Sequence, residues 1–161
     1  MSALQCELMR LFHYDPLTGV FRWRVSTTNS ISVGQIAGGI TEGRYRKIRF
    51  QGRLRYAHHL AWLYMTRQFP RLHIDHIDGD GLNNRFVNLR DVCRSVNLQN
   101  TRHARSDNTT SFLGVQKNHK GFAARITING KRVSLGTFTT PQLAHAAYLS
   151  AKRELHEGCT I

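Results

Sequence analysis

Three observations on the sequence predict an α+β protein made of consecutive parts. The N-terminal segment contains short strand patterns separated by turn signals. The middle of the chain combines an apolar helix with a strand, a polar loop, a second strand and a helix. The C-terminal segment contains three strand patterns followed by an alanine-rich helix. We expect the boundaries to be 1–56 for the N-terminal basic β region, 57–104 for the central part, 105–111 for a polar linker and 112–161 for the C-terminal domain.

The charge of the chain predicts a polyanionic partner. Among 161 residues, 23 Lys and Arg oppose 10 Asp and Glu, which gives a formal net charge of +13. Such a charge informs about partners rather than about the fold. No apolar run approaches the roughly 18–20 residues that cross a bilayer, and the N-terminus lacks the basic region and apolar core of a signal peptide. We therefore expect a cytoplasmic protein that binds nucleic acid and neither a membrane nor a small-molecule substrate.

The cysteine content predicts no structural disulfide. The three cysteines, Cys6, Cys93 and Cys159, are far apart and form no Cys-x-x-Cys pair. This pattern argues against a disulfide scaffold and against a cysteine-rich zinc site. We interpret the three side chains as small hydrophobic groups in a reducing compartment.

The N-terminal segment predicts a small basic sheet. In YDPLTGVFRWRV (14–25) a turn precedes an alternation that sends arginines to one face and aromatic residues to the other. GRYRKIRFQGRLRYA (43–57) predicts two more strands around a Gln51-Gly52 turn. The alternative is a solvated sheet face without a ligand. We expect phosphate contacts, which weaken with salt, from Arg22, Arg24, Arg46 and Arg49.

The segment YAHHLAWLYMTRQFP (56–70) predicts a helix, because Leu60, Leu63 and Tyr64 recur at helical spacing. Pro70 is expected to end it. We interpret His58 and His59 as packing or capping residues rather than as metal ligands.

The segment RLHIDHIDGDGLNNRFVNLR (71–90) concentrates carboxylates, histidines and asparagines. LHIDHI predicts a strand, DGDGLNNRF a loop and VNLRDVC a second strand. Ser95 is a candidate N-cap for a following helix over VNLQNTRHA. A helix–loop–helix calcium site is excluded, because placing Gly81 sixth puts His76 first and Val87 twelfth.

Two kinds of chemistry remain for this segment. A zinc site could use His73 and His76, but no cysteine pair accompanies them, so it is less favoured. Hydrolysis of a phosphodiester needs a base and a hard divalent cation. Asp75 offers a carboxylate, His76 a base that titrates near neutrality, and Asn97 a neutral oxygen ligand on the following helix.

The stretch HIDHIDGDGLNNRFVNLRDVCRSVNLQN resembles the HNH nuclease motif, the ββα-metal fold of phage and intron-borne homing endonucleases. The resemblance runs through DHIDGDxxNNR, NLR and SxNxxN. It implies that 57–104 is a nuclease core in which Asp75 and Asn97 hold Mg²⁺ or another divalent cation such as Mn²⁺. It also implies that His76 is the general base and that Asn88 bridges the loop and orients the base. Strand alternation alone would separate Asp75 from His76, and only the family fold implies that they converge. The loop residues that we interpret as merely solvated are Asp78, Asp80, Asn83 and Asn84.

The C-terminal segment predicts three strands, with a hairpin turn at Asn129-Gly130. Thr140 and Pro141 predict the start of a helix that Gly158 is expected to end. The residues Gly114-Val115, Leu135-Gly136-Thr137-Phe138 and an alanine-rich helix resemble the DNA-binding domain of plant ethylene-response factors. That resemblance implies a three-stranded antiparallel sheet packed on one helix, with the open face in the DNA major groove. The expected DNA contacts on that face are Gln116, Asn118, Arg125, Thr127, Arg132 and Ser134.

These observations together predict a Mg²⁺-dependent DNA endonuclease of phage or mobile-element type in the host bacterial cytosol. A monomer with one active site should nick double-stranded DNA and leave a 5′ phosphate, and a homodimer could cut both strands. The alternatives are a sequence-specific DNA-binding regulator with a degenerate nuclease core and, less favoured, a protein that cuts or binds RNA.

Overall fold

The computed structural model describes residues 2–41 and 44–161 and confirms the α+β class. The chain divides into two compact units, Met1–Cys93 and Arg94–Ile161. This division falls inside the segment 57–104, so the last helix of the expected nuclease core is counted with the second unit. No helix in the described part of the chain is long and apolar enough to cross a membrane.

The first unit begins with a helix, α1 (Ala3–Leu11), which the sequence analysis did not predict. The Ser2 hydroxyl accepts a hydrogen bond from the Gln5 backbone N–H (3.2 Å) and caps it. Leu8 is fully buried on this helix. The expectation of strands alone in residues 1–56 was therefore wrong, because Leu4, Leu8 and Leu11 before Phe12 recur at helical spacing.

Two small antiparallel sheets follow α1. Strands β1 (Phe12–Asp15) and β2 (Val20–Trp23) form a hairpin, and its turn begins at Asp15 as predicted. Strands β3 (Gly39–Thr41), β4 (Tyr45–Phe50) and β5 (Arg53–Tyr56) form a three-stranded sheet in that order. The predicted turn between β4 and β5 is confirmed, because Gln51 and Gly52 both have a positive φ (51° and 71°).

Helix α2 (Ala57–Thr66) and the strands β6 (His73–His76) and β7 (Leu89–Val92) complete the first unit. Helix α2 ends before Pro70, because Arg67 adopts a left-handed conformation (φ 71°) that stops the helix. A 3-10 helix over Phe86–Asn88 leads from the polar loop into β7.

One hydrophobic core joins α1, β1, β2, β4, α2, β6 and β7. Ile74 on β6 and Leu89 on β7 belong to it, so the strands that frame the polar loop are anchored in the same core as the N-terminal hairpin. The largest fully buried side chains of this core are Tyr14, Phe12, Phe21, Phe50, Leu8, Ile48, Leu60 and Leu63.

The second unit begins with α3 (Arg94–Gln99), which includes Ser95 instead of starting after it. Ser95 is therefore not the N-cap that was predicted, and the helix is shorter than expected. The segment 105–111, predicted as a linker, is ordered by Asn108, whose amide donates to the carbonyls of Phe112 (3.2 Å) and Val115 (3.3 Å).

The remainder of the second unit is a three-stranded antiparallel sheet of β8 (Val115–Asn118), β9 (Gly121–Ile128) and β10 (Lys131–Phe138), with β9 in the centre. Helix α4 (Pro141–Leu155) packs against this sheet. The Thr140 hydroxyl caps α4 as predicted, but the helix ends three residues before Gly158. The core between them contains Val115, Ala124 and Ala144, with Phe112, Phe122, Leu135 and Phe138 packed around it.

We expect Gly114→Ala to destabilise the second unit more than Gly130→Ala. Both glycines have φ +77°, so both substitutions carry a strain of about 1–2 kcal/mol. A Cβ on Gly114 would lie 2.1 Å from Cδ2 of the buried Tyr148 ring, whereas a Cβ on Gly130 meets open space. The clash should cost a further ~1–3 kcal/mol. Hydrogen exchange of the β8–β10 amides measures both losses, and equal losses would contradict the packing at Tyr148.

Candidate active site

Asp75 and His76 are the last two residues of β6, and both are 6% exposed. The β6–β7 register places Asp75 opposite Arg90 and His76 opposite Leu89. Consecutive side chains on a strand point to opposite faces, so both faces of β6 must be covered here. An aspartate and a histidine this deeply buried require polar partners.

Arg90 on β7 supplies the partner of Asp75. Its Nε (2.8 Å) and Nη2 (2.7 Å) both donate to Oδ2 of Asp75. Two charge-assisted hydrogen bonds on one oxygen hold the carboxylate in a defined orientation. Because Arg90 is the cross-strand neighbour of Asp75, the β6–β7 register itself makes this ion pair.

Asn84 contacts the imidazole of His76. Its Oδ1 lies 3.3 Å from Nε2 of His76, and Asn84 is only 2% exposed. Its Nδ2 donates to the Leu82 carbonyl (3.1 Å), so the amide oxygen faces the histidine. An amide oxygen only accepts, so Nε2 of His76 must carry the proton and Nδ1 must carry the lone pair. The interpretation of Asn84 as a solvated loop residue was therefore wrong.

Burial lowers the pKa of His76 below its ordinary value. The hydrogen bond to Asn84 and the negative charges of Asp78, Asp75 and Asp80 act in the opposite direction but do not outweigh it. The imidazole is consequently neutral at neutral pH and can accept a proton.

The side-chain amide of Asn88 closes the polar loop. Its Oδ1 accepts from the Asp78 backbone N–H (3.0 Å), while its Nδ2 donates to Asp78 Oδ1 (2.9 Å) and to the Asn83 carbonyl (2.8 Å). Partial burial raises the pKa of the Asp78 carboxyl, but hydrogen bonds from Asp80, Asn83 and Asn88 more than offset this and leave it below its usual value. One amide thus ties the beginning of the loop to its end.

The N-terminal β1–β2 hairpin contacts the same loop. The buried Tyr14 hydroxyl on β1 donates to the Asn84 carbonyl (2.7 Å). Gly19 in the hairpin turn lies so close that a Cβ there would be 2.5 Å from the Arg85 backbone nitrogen. Asn84 is therefore held through its backbone as well as through its side chain.

Two aromatic rings, those of His58 and Tyr45, pack against the His76 imidazole. The His58 ring meets the His76 ring edge-on, with centroids 5.0 Å apart and planes at 88°. His58 stacks on Tyr56 (5.1 Å, 9°), and Tyr45 lies 6.0 Å from His76. His58 is 6% exposed, its Nδ1 has no hydrogen-bond partner among the described residues, and burial lowers its pKa to about 3. His58 is a packing residue, as predicted.

The remaining predicted site residues fall into different parts of the structure. Asn97 lies on α3 in the second unit and is half-buried. Arg22 and Arg24 are exposed, and their Nη1 atoms donate to the carbonyls of Gly34 (2.9 Å) and Met9 (3.1 Å). Arg46 and Arg49 are both on β4: Nη1 of Arg46 donates to the Gly38 carbonyl (2.8 Å), and Nη1 of Arg49 to the Gly52 carbonyl (2.9 Å).

The six residues predicted to contact DNA in the C-terminal domain share one face of its sheet. Arg125 pairs with Ser134, and Thr127 with Arg132. Nη1 of Arg125 also donates to Oε1 of Gln116 (3.2 Å) on β8. This face is opposite to the one that carries the buried residues Ala124 and Ile126. It extends over Gln116, Asn118, Arg125, Thr127, Arg132 and Ser134.

The donor set predicted for a cation consists of oxygen atoms. Within residues 2–41 and 44–161, no group of three or more His, Cys, Asp and Glu side chains could hold a metal ion. A magnesium ion often uses only one or two protein oxygens and keeps several waters. The oriented carboxylate of Asp75 fits that requirement.

Residues 55–99 match the family model of the HNH endonucleases. The matched segment starts in β5 and includes α2, β6, the polar loop, β7 and α3. The match supports an HNH endonuclease domain over these residues. Neither the curated proteins nor the solved structures yielded a significant match to the chain.

We expect the burial of His58 to make the first unit sensitive to acid. The folded pKa of His58, about 3, lies below the ordinary histidine pKa of 6.5, so the unfolded state binds the proton first as the pH falls. The contribution of His58 to the free energy of unfolding is therefore fully present above about pH 6.5. It declines by up to roughly 1.4 kcal/mol per pH unit as the pH falls towards 3. His58→Phe keeps a ring in place and should reduce this slope, measured by urea unfolding followed through tryptophan fluorescence at several pH values.

The matched control is His13→Gln, which changes an exposed histidine of the same unit. It should leave the pH dependence as in the wild type. An unchanged slope in His58→Phe would show that His58 is not buried as a neutral imidazole.

Proposed function

We propose that this protein is a metal-dependent HNH endonuclease that hydrolyses phosphodiester bonds in double-stranded DNA. The observation that carries the proposal is the buried pair Asp75 and His76, each oriented by its own hydrogen-bond partner, inside the segment that matches the HNH family model. The charge of +13 fits a polyanionic substrate. A phage or mobile-element origin is part of the proposal and rests on the resemblance of the motif alone.

His76 is the proposed general base. Its Nδ1 carries the lone pair, because Nε2 donates to Asn84. Nδ1 would take a proton from a water molecule whose oxygen attacks phosphorus in line with the departing 3′ oxygen. A new P–O bond forms, the bond to the 3′ oxygen breaks, and the departing 3′ oxygen takes a proton from solvent, so that a 5′ phosphate and a 3′ hydroxyl result. Asn88 acts on this step indirectly, by holding the loop that carries Asn84.

Asp75 is the proposed ligand of Mg²⁺ or Mn²⁺ in the first unit, and the resemblance to the HNH motif implies Asn97 as a second ligand. When bound, the cation would neutralise charge on the phosphate and on the departing 3′ oxygen. The hydrogen bonds from Arg90 to Oδ2 of Asp75 prevent the carboxylate from rotating. Outer partners of this kind orient a ligand before it binds the ion.

DNA is proposed to contact both units. The open face of the β8–β10 sheet presents side chains that donate to phosphates or to base edges. In the first unit, Arg22, Arg24, Arg46 and Arg49 are the proposed phosphate contacts. A monomer has one active site and would nick one strand, whereas two copies would be needed for a double-strand break.

We expect the wild type to convert supercoiled plasmid into the open-circle form in Mg²⁺. His76→Ala should abolish this activity, because no other group would remove the proton from water, and EDTA should abolish it in the wild type. Agarose gel electrophoresis over time separates the open-circle and linear products.

Equal nicking by the wild type and His76→Ala would point to a contaminating nuclease. Duplex binding without cleavage would favour a DNA-binding regulator with a degenerate core. Cleavage of structured RNA but not of duplex DNA would exclude the proposed substrate.

We expect Asn84→Ala to lower nicking by about 10- to 100-fold, the usual cost of losing a partner that orients an active-site group. The variant should still bind duplex DNA like the wild type. Tyr14→Phe is the companion variant, because it removes only the hydrogen bond to the Asn84 carbonyl. It should cause a smaller loss of activity, and full activity in Asn84→Ala would show that His76 needs no such partner.

A further inference from the structure

The β3–β5 sheet has one face that is not used by the hydrophobic core. Ile48 and Phe50 of β4 point into the core, so the alternate residues of the strand point away from it. The register pairs Lys47 with Tyr56 and Arg49 with Leu54, which places both pairs on that side. We call this surface the outer face and define it by Tyr45, Lys47, Arg49, Leu54 and Tyr56.

The outer face combines cations with exposed apolar and aromatic surface. Leu54 is 61% exposed and Tyr45 is 38% exposed. Nζ of Lys47 lies 4.8 Å from the centre of the Tyr56 ring, so a cation is held in place above an aromatic surface. None of the residues of β3, β4 and β5 is acidic. Basic groups interleaved with aromatic ones suit a nucleic-acid strand, whose phosphates need cations and whose sugars and bases pack on rings.

The outer face leads directly to the candidate base. Tyr45 lies at its edge, with its ring 5.6 Å from Tyr56 and 6.0 Å from His76. The polar loop packs on the same ring, since a Cβ on Gly81 would lie 2.6 Å from Cε1 of Tyr45. Tyr45 therefore forms a wall shared by the outer face and the His76 site.

We propose that the outer face binds the sugar–phosphate backbone of the DNA strand that is cut, next to the scissile phosphate. Lys47 and Arg49 contact successive phosphates, and Tyr45 packs against a sugar or base beside His76. Lys47 and Arg49 are two residues apart on one strand, a spacing of about 7 Å. The proposal rests on the proposed nuclease function. It adds Tyr45, Lys47 and Tyr56 to the substrate surface and orients the strand relative to His76.

DNA is favoured over a protein partner by charge and by position. A second copy of this chain would bring the same positive charges against each other. An acidic peptide could form ion pairs with Lys47 and Arg49. Its binding would give no reason for these two cations to lie beside the candidate base His76. A phosphodiester strand has to reach His76, and the outer face offers an approach to it.

The test compares two double variants that lose the same charge. Lys47→Gln with Arg49→Gln changes the outer face. Arg10→Gln with Arg53→Gln changes exposed arginines elsewhere on the same unit, on α1 and on the core side of the β4–β5 hairpin. Fluorescence anisotropy with a labelled DNA duplex in EDTA, repeated over a range of NaCl concentrations, gives the salt dependence of binding. Circular dichroism checks that each variant is folded.

We expect the outer-face variant to reduce the slope of log K against log salt by about 1.8, since each phosphate contact contributes ~0.9. The control should leave the slope unchanged. Equal reductions in the two variants, or no reduction in either, would overturn the proposal. If the double variant does not fold, Lys47→Gln alone should reduce the slope by about 0.9. A reduction seen with duplex RNA but not with DNA would overturn the choice of DNA.

Tyr45 links the outer face to cleavage, and its substitution separates this inference from the proposed function. Tyr45→Ala should lower plasmid nicking by more than it weakens binding, because it removes the ring beside His76 on which the polar loop packs. If the wild type nicks but the outer-face variants bind and cut normally, the inference fails and the nuclease function stands. If the wild type binds DNA through the outer face without nicking, the nuclease function fails.

Discussion

The geometry of the candidate site depends on the closure of one polar loop. The amide of Asn88 is bonded to the backbone and carboxylate of Asp78 at one end of the loop and to the Asn83 carbonyl at the other. That closure places Asn84 next to the His76 imidazole. Without it, a loop rich in glycine and asparagine would regain backbone conformational freedom by opening. A single side chain therefore connects the conformation of the loop with the tautomer of the candidate base.

The N-terminal segment has two roles in this arrangement. Tyr14 and Gly19 of the β1–β2 hairpin hold the backbone at Asn84 and Arg85. The β3–β5 sheet supplies Tyr45, whose ring lies beside His76, and Tyr56, whose ring stacks on the His58 ring that meets His76 edge-on. An interpretation of these strands as a DNA-binding surface alone is incomplete, since the same residues are also part of the walls of the site. One face of this sheet packs into the hydrophobic core through Ile48 and Phe50, and the other carries Tyr45 and Tyr56.

Burial and pairing produce two different electrostatic environments on neighbouring residues. His76 is enclosed by rings, which favours the neutral imidazole that a base requires. Asp75 is enclosed as well, but Arg90 neutralises it across the β6–β7 pair. Each of the two side chains has its own hydrogen-bond partner although they are adjacent in the chain.

The sequence by itself determined the elements whose signals are local. The turns at Gln51-Gly52 and Asn129-Gly130, the cap at Thr140 and the strand–loop–strand order around Asp75 and His76 all depend on neighbouring residues, and the structure contains them. Only the tertiary structure decided that Asn84 is buried against His76, since the Tyr14 hydrogen bond that holds it spans 70 positions. It also decided how the rings of Tyr45 and His58 lie against His76 and how Tyr56 stacks on His58. Contacts between distant residues leave no periodicity in the sequence, because they arise when separate elements share one core.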